Sequence, residues 1–123
     1  MKKHMLAGSC FALVAVVLGA FASHALKNYF EASVLQSFQI GIRYMMYHGL
    51  ALLIFSQWTL AKNKWIFRLF FWGVIIFSCS IFLLCLSSTL LLNLSWLGPL
   101  TPIGGSMLIM GWVLLLWEIY KSN

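Results

Sequence analysis

Two histidines stand inside or at the end of apolar stretches, where polar side chains need a reason. His24 closes the first stretch and His48 lies early in the second. Tyr44 precedes His48 by four residues, on the same helical face, and Arg43 and Tyr47 pair in the same way. An imidazole titrates near pH 6.5, so histidines in a membrane can carry protons. Two of them on neighbouring antiparallel helices can also ligate haem or a metal. A third polar element is the turn Thr101-Pro102-Ile103-Gly104-Gly105. Thr suits a helix N-cap, Pro suits the first helical position, and the glycines allow a backbone or ligand to come close.

The same residues have a plainer use. His, Tyr and Thr bond across membrane helices and fix their packing. Ser78, Ser80, Ser87 and Ser88 in the third stretch are read in that way. His4 reads as a flanking residue ahead of the first stretch. A metal is poorly supported by two histidines with no Cys, Asp or Glu beside them. A Ser/His pair drawn from Ser23, Ser80 and His48 has no carboxylate within a span to orient the imidazole. No enzyme activity is expected, and no cofactor beyond the weak haem or metal reading of His24 with His48.

The elements that carry these residues follow from composition. The chain is 63% hydrophobic and 8% charged, with two acidic residues and a formal net charge of +6. A soluble domain has about 25% charged residues, so the main solvent is lipid. Four apolar spans stand out, at about residues 5–26, 44–61, 69–86 and 103–117. Each approaches the roughly 20 residues that cross a hydrocarbon core. The expected fold is one all-α domain, an integral membrane four-helix bundle. The basic residues cluster at the span ends, without the stripe that nucleic acid requires. Lys2, Lys3, Lys62, Lys64, Arg68 and Lys121 fall on one side, leaving Lys27 and Arg43 on the other. The positive-inside rule makes both termini cytoplasmic.

On this topology His24, Arg43, Tyr44, Tyr47, His48 and the Thr101–Gly105 turn share one outer layer, with His48 roughly 6–8 Å below the outer end of its helix. The segment before span two carries Phe30, Val34, Phe38 and Ile42 at four-residue spacing. That stripe predicts a short amphipathic helix at the interface or an extension of span two, with Asn28 and Glu31 as a capping pair. The segment from 87 to 101 has two readings, a longer helix end or a fold onto the bilayer.

Span one bears a second pattern. Gly8, Ala12, Ala15, Gly19 and Ala22 put small residues on one face, which lets another helix approach closely. Ala20-Phe21-Ala22 matches a signal-peptidase site. The small-residue face and the length of the apolar run predict instead that span one is retained. The three cysteines, Cys10, Cys79 and Cys85, all lie in apolar runs and read as packing residues.

These residues carry a resemblance. The segment Gly19-Ala20-Phe21-Ala22-Ser23-His24-Ala25-Leu26, the Tyr44, Tyr47, His48 set and the Thr101-Pro102-Ile103-Gly104-Gly105 turn followed by Gly111-Trp112 occur in order across the chain. They resemble the YgdD/YwdK-like family of small bacterial inner-membrane proteins of unknown function, which has uncharacterised eukaryotic transmembrane relatives. The chain departs from the family pattern in span three. Cys79 stands where the family has glycine and Phe82 where it has tyrosine. The resemblance implies four membrane helices in the bacterial inner membrane and supplies no activity. The leading expectation is a non-enzymatic scaffold, assembly or lipid-contacting factor, with lipids, other membrane proteins or a second copy as partners. The alternative is a small oligomeric transporter or channel working by histidine protonation.

Overall fold

A computed structural model describes residues 1–58 and 63–122. Ala61 and Lys62, the expected end of span two and one basic residue of the connection after it, lie outside the described residues. Backbone polar groups in lipid must be satisfied within their own segment, which drives apolar stretches of this length into helices. Helix α1 runs over Lys2–His24, α2 over Ala32–Phe55, α3 over Lys64–Leu90 and α4 over Leu100–Lys121. Short 3-10 turns at Leu26–Asn28 and Ser95–Leu97 lead into α2 and α4.

Local sequence sets several of these limits. Asn63 Oδ1 accepts the Trp65 N–H at 2.9 Å and starts α3. At the other end Leu91 adopts a left-handed conformation, φ 55°. It is a residue type that pays for this geometry. The turn stops α3 because the Leu91 and Leu92 N–H groups both return to the Ser87 carbonyl. The 87–101 segment therefore comprises the last turn of α3, an irregular stretch, a short 3-10 turn at Ser95–Leu97 and the first residues of α4.

Two expected helix starts move. The N-cap of α2 is Glu31, whose side chain makes no capping bond, and Asn28 belongs to the preceding turn. The N-cap of α4 is Pro99, which places Thr101 and Pro102 inside the first helical turn. The two starts differ in kind. Gly98 and Pro99 keep a right-handed helical backbone from the 3-10 turn into α4, whereas Glu31 is an extended N-cap, ψ 156°, that breaks the chain between its 3-10 turn and α2.

Helix α2 is the largest departure. It begins at Ala32, so the Phe30–Ile42 stripe extends span two and faces the bundle. Phe30 and Phe38 are buried, 5.6 Å apart, and Phe38 lies 4.8 Å from Phe82 on α3. Three segments, Lys2–His24, Lys64–Leu90 and Ser95–Lys121, are long and apolar enough to cross a membrane. Helix α2 is also long, at 24 residues, but carries Gln36, Gln39, Arg43 and His48. It lies along α1, with Gly8 near Gly49 toward one end and Gly19 near Ile42 toward the other.

The helices pack as two antiparallel hairpins, α1/α2 and α3/α4, joined through α2 and α3. Small residues set the distances. A Cβ on Gly8 would meet the Gly49 carbonyl at 2.6 Å, and one on Gly111 would meet the Phe70 ring at 2.7 Å. One core cluster, around Phe11, Leu52, Phe55, Phe70, Val74, Leu108 and Leu115, fills the end nearer the termini. A second, around Ala22, Phe30, Phe38, Ile81 and Cys85, fills the other end.

Candidate functional site

The expected outer layer separates into groups at different depths. His48 is the sixteenth residue after Ala32, which puts it about 24 Å along α2. Its neighbour Gly49 packs beside Gly8, Phe11 and Ala12 of α1, in the half of the bundle nearer the termini. His24 lies thirteen residues beyond Phe11 on α1, about 20 Å further along that helix, and is exposed. The two histidines therefore do not meet. The haem or metal reading of His24 with His48 is withdrawn, because it placed the start of α2 twelve residues too late. Among the described residues no three His, Cys, Asp or Glu side chains are grouped as for a metal ion.

His48 has its hydrogen-bonding capacity filled inside the bundle. Trp112 Nε1 donates to His48 Nε2 at 3.0 Å. Indole is only a donor, so Nε2 is unprotonated and the ring proton is on Nδ1. That proton is donated to the Tyr44 carbonyl at 2.7 Å. The ring is 4% exposed and lies edge-on to Phe70 and Trp112. This bond ties α2 to α4, which also meet where the Phe55 ring stands edge-on to Trp112 at 5.9 Å.

The other polar residues are placed as follows. Tyr44 packs its ring against Phe77 at 4.9 Å and Tyr47 is exposed. Arg43 is exposed and borders a shallow cleft of about 240 Å³ with Gly19, Ala22, Ser23, Gln39 and Ile42. Ser78, fully buried, donates to the Gly41 carbonyl at 2.8 Å across α2/α3. Ser80 and Thr101 share a hydrogen bond of 2.7 Å across α3/α4. Gly104 seats its backbone on that of Phe77, and Gly105 faces the Phe77 ring. On α1, Gly8, Ala15 and Ala22 are buried, while Ala12 and Gly19 are partly so.

Phe82, where the resemblance leads to a tyrosine, lies 2.7 Å from the position a Cβ on Gly41 would take. The glycine on α2 makes room for this ring.

Two features were missed from the sequence. His4 is buried at 4% exposure and stands edge-on to Phe67, centroids 4.5 Å apart, so it is a core residue and not a flank. Asn63 Nδ2 donates to Glu118 Oε1 at 2.8 Å and closes the terminal end of α3 on α4. The clue for His4 was its three- and four-residue spacing to Ala7 and Gly8, which puts it on the packed face of α1.

A partly polar concavity lies at the end away from the termini. It holds about 480 Å³ and is lined by Ser33, Ser37, Ser88 and Thr101 with Val34, Ile81, Leu84, Cys85 and Gly98. Ser37 and Ser88 donate to their own helix carbonyls. No base is among the lining residues, so no hydroxyl there is activated as a nucleophile.

This architecture agrees with what related sequences show. Residues 18–105 match the family described as "Protein of unknown function (DUF423)". The chain belongs to this family. It is 36% identical to a UPF0382 membrane protein of Staphylococcus saprophyticus, covering 98% of this chain and 99% of that one. It is 37% identical to a UPF0382 membrane protein of Staphylococcus aureus, over 98% of each. No solved structure matches. The protein is a multi-pass membrane protein of bacterial type, and its family is one of unknown function. His24, Arg43, Tyr44, His48 and Thr101–Gly105 all fall inside the matched segment, and Gly8 and Trp112 fall outside it.

Proposed function

We propose that this protein is a non-enzymatic scaffold of the bacterial membrane that works through its outward apolar faces, against lipid or other membrane proteins. The observation behind this reading is that His48, Ser78, Ser80 and Thr101 are used to hold the bundle together, while among the described residues only His4 Nδ1 is a buried side-chain polar atom without a hydrogen-bond partner. His48 is bonded at both ring nitrogens, Ser78 to Gly41, and Ser80 to Thr101. A proton-coupled carrier needs a titratable group that can gain and lose a proton during the cycle. His48 would have to release Trp112 to do so. By contrast, α1 and α4 expose Leu13, Val16, Val17, Ile109, Val113 and Leu116.

The test is solute flux in proteoliposomes under an imposed pH gradient, with the wild-type chain and His48→Gln. We expect no flux above empty vesicles from either. Flux carried by the wild type and abolished in a folded His48→Gln variant would replace the scaffold reading with the transporter.

A further inference from the structure

At the end of the bundle that holds the termini, α3 and α4 leave an apolar groove of about 660 Å³ open to the surroundings. Leu69 forms one wall, and Met110, Val113, Leu114, Leu116, Trp117 and Tyr120 of α4 form the rest. The spacing along α4 is that of one helix face turned away from the core. Met110, Val113, Leu116, Trp117 and Tyr120 are each more than half exposed, so none of the described residues covers them.

What distinguishes this groove from any lipid-facing surface is its charged end. Lys121 Nζ lies 5.1 Å from the Trp117 ring that lines the groove. On α3, Arg68 immediately precedes Leu69, and its Cζ lies 5.1 Å from the Trp65 ring one turn earlier. Each helix thus holds a cation against an indole at the same end of the bundle. Tryptophan and tyrosine prefer the headgroup level, so both cations stand where phosphates lie. The carboxylate side chains do not neutralise them. Glu118 is turned to Asn63, and Glu31 precedes α2 at the opposite end.

We propose that this groove binds one anionic phospholipid, with an acyl chain along Met110, Val113 and Trp117 and the headgroup phosphate between Arg68 and Lys121. The assignment rests on the scaffold reading only in taking this face of α4 as facing lipid. A free phosphate would lack the apolar half of the site. A zwitterionic lipid would carry its own ammonium towards the two cations. A second copy would bring another basic end against this one.

The test is native mass spectrometry of the full chain released from vesicles of equimolar phosphatidylglycerol and phosphatidylcholine with identical acyl chains. We expect one phosphatidylglycerol retained on the monomer in preference to phosphatidylcholine. Near the membrane surface each cation contributes about five-fold in affinity. Arg68→Gln and Lys121→Gln should each weaken retention by about that factor, and together by about twenty-five-fold. Val113→Trp should fill the groove and reduce retention of both lipids with the charges intact. Leu116→Phe does the same more gently if Val113→Trp does not fold. Equal retention of the two lipids, or unchanged retention in the double charge variant, would overturn the proposal. So would a lipid-free dimer that Val113→Trp dissociates. Flux in the same vesicles bears on the scaffold reading alone, so the two can fail separately.

Discussion

At the scale of single residues, the most informative contact is the Trp112–His48 bond. Removing a donor from a buried acceptor leaves that acceptor unsatisfied, which costs about 1–3 kcal/mol. Trp112→Phe keeps most of the ring and removes only the N–H. We expect it to destabilise the protein by about 1–2 kcal/mol, seen as a lower melting temperature in mild detergent. A double-mutant cycle with His48→Ala should return a coupling of about 0.6–1.7 kcal/mol, the range of hydrogen bonds between membrane helices. Zero coupling would show that the imidazole and indole merely touch. The polar types at these positions were legible in the sequence. The partner was not, because Trp112 lies 64 residues from His48 and in another helix.

At the scale of elements, the helices start in different ways. Asn63 is a side-chain cap, whereas Glu31 and Pro99 are not. The end of α3 carries a cost. Leu91 is left-handed and 93% exposed, so its side chain contributes little packing to offset the strain. Leu91→Gly should stabilise the protein by about 1 kcal/mol, and thermal unfolding should show a higher midpoint. An unchanged or lowered midpoint would mean that Leu91 is held by lipid contact. Helix α2 shows the limit of pattern reading. The Phe30–Ile42 stripe fits an interfacial helix and an extended span equally well. Phe82 and Cys85 on α3 decide for the extension, since Phe38 packs on the first and the Val34 carbonyl meets the thiol of the second at 3.5 Å.

At the scale of the molecule, the bundle gathers both termini and the start of α3 at one end. His4 meets Phe67 there, and Asn63 meets Glu118. Lys2, Lys3, Lys64, Arg68 and Lys121 share that end, and we propose on this charge pattern that it faces the cytoplasm. Reporters that work only in the cytoplasm, fused in turn to each terminus, should both be active. One fused after Tyr29 should be silent. Activity at only one terminus would mean that an odd number of segments crosses the membrane.

The sequence alone determined that lipid is the solvent, that the chain is helical, and that the small-residue face of α1 invites close packing. Composition and periodicity act within a segment, and a segment in lipid must satisfy its own backbone whatever its neighbours do. Only the tertiary structure decided the depth of each polar residue and its partner. Periodicity assigns a side chain to a face but says nothing of the register between helices. That register comes from contacts such as Gly8 against Gly49 and Gly104 against Phe77, which set how far each helix slides along the next. Starting α2 at Ala32 was enough to carry His48 away from His24 and into the bond with Trp112.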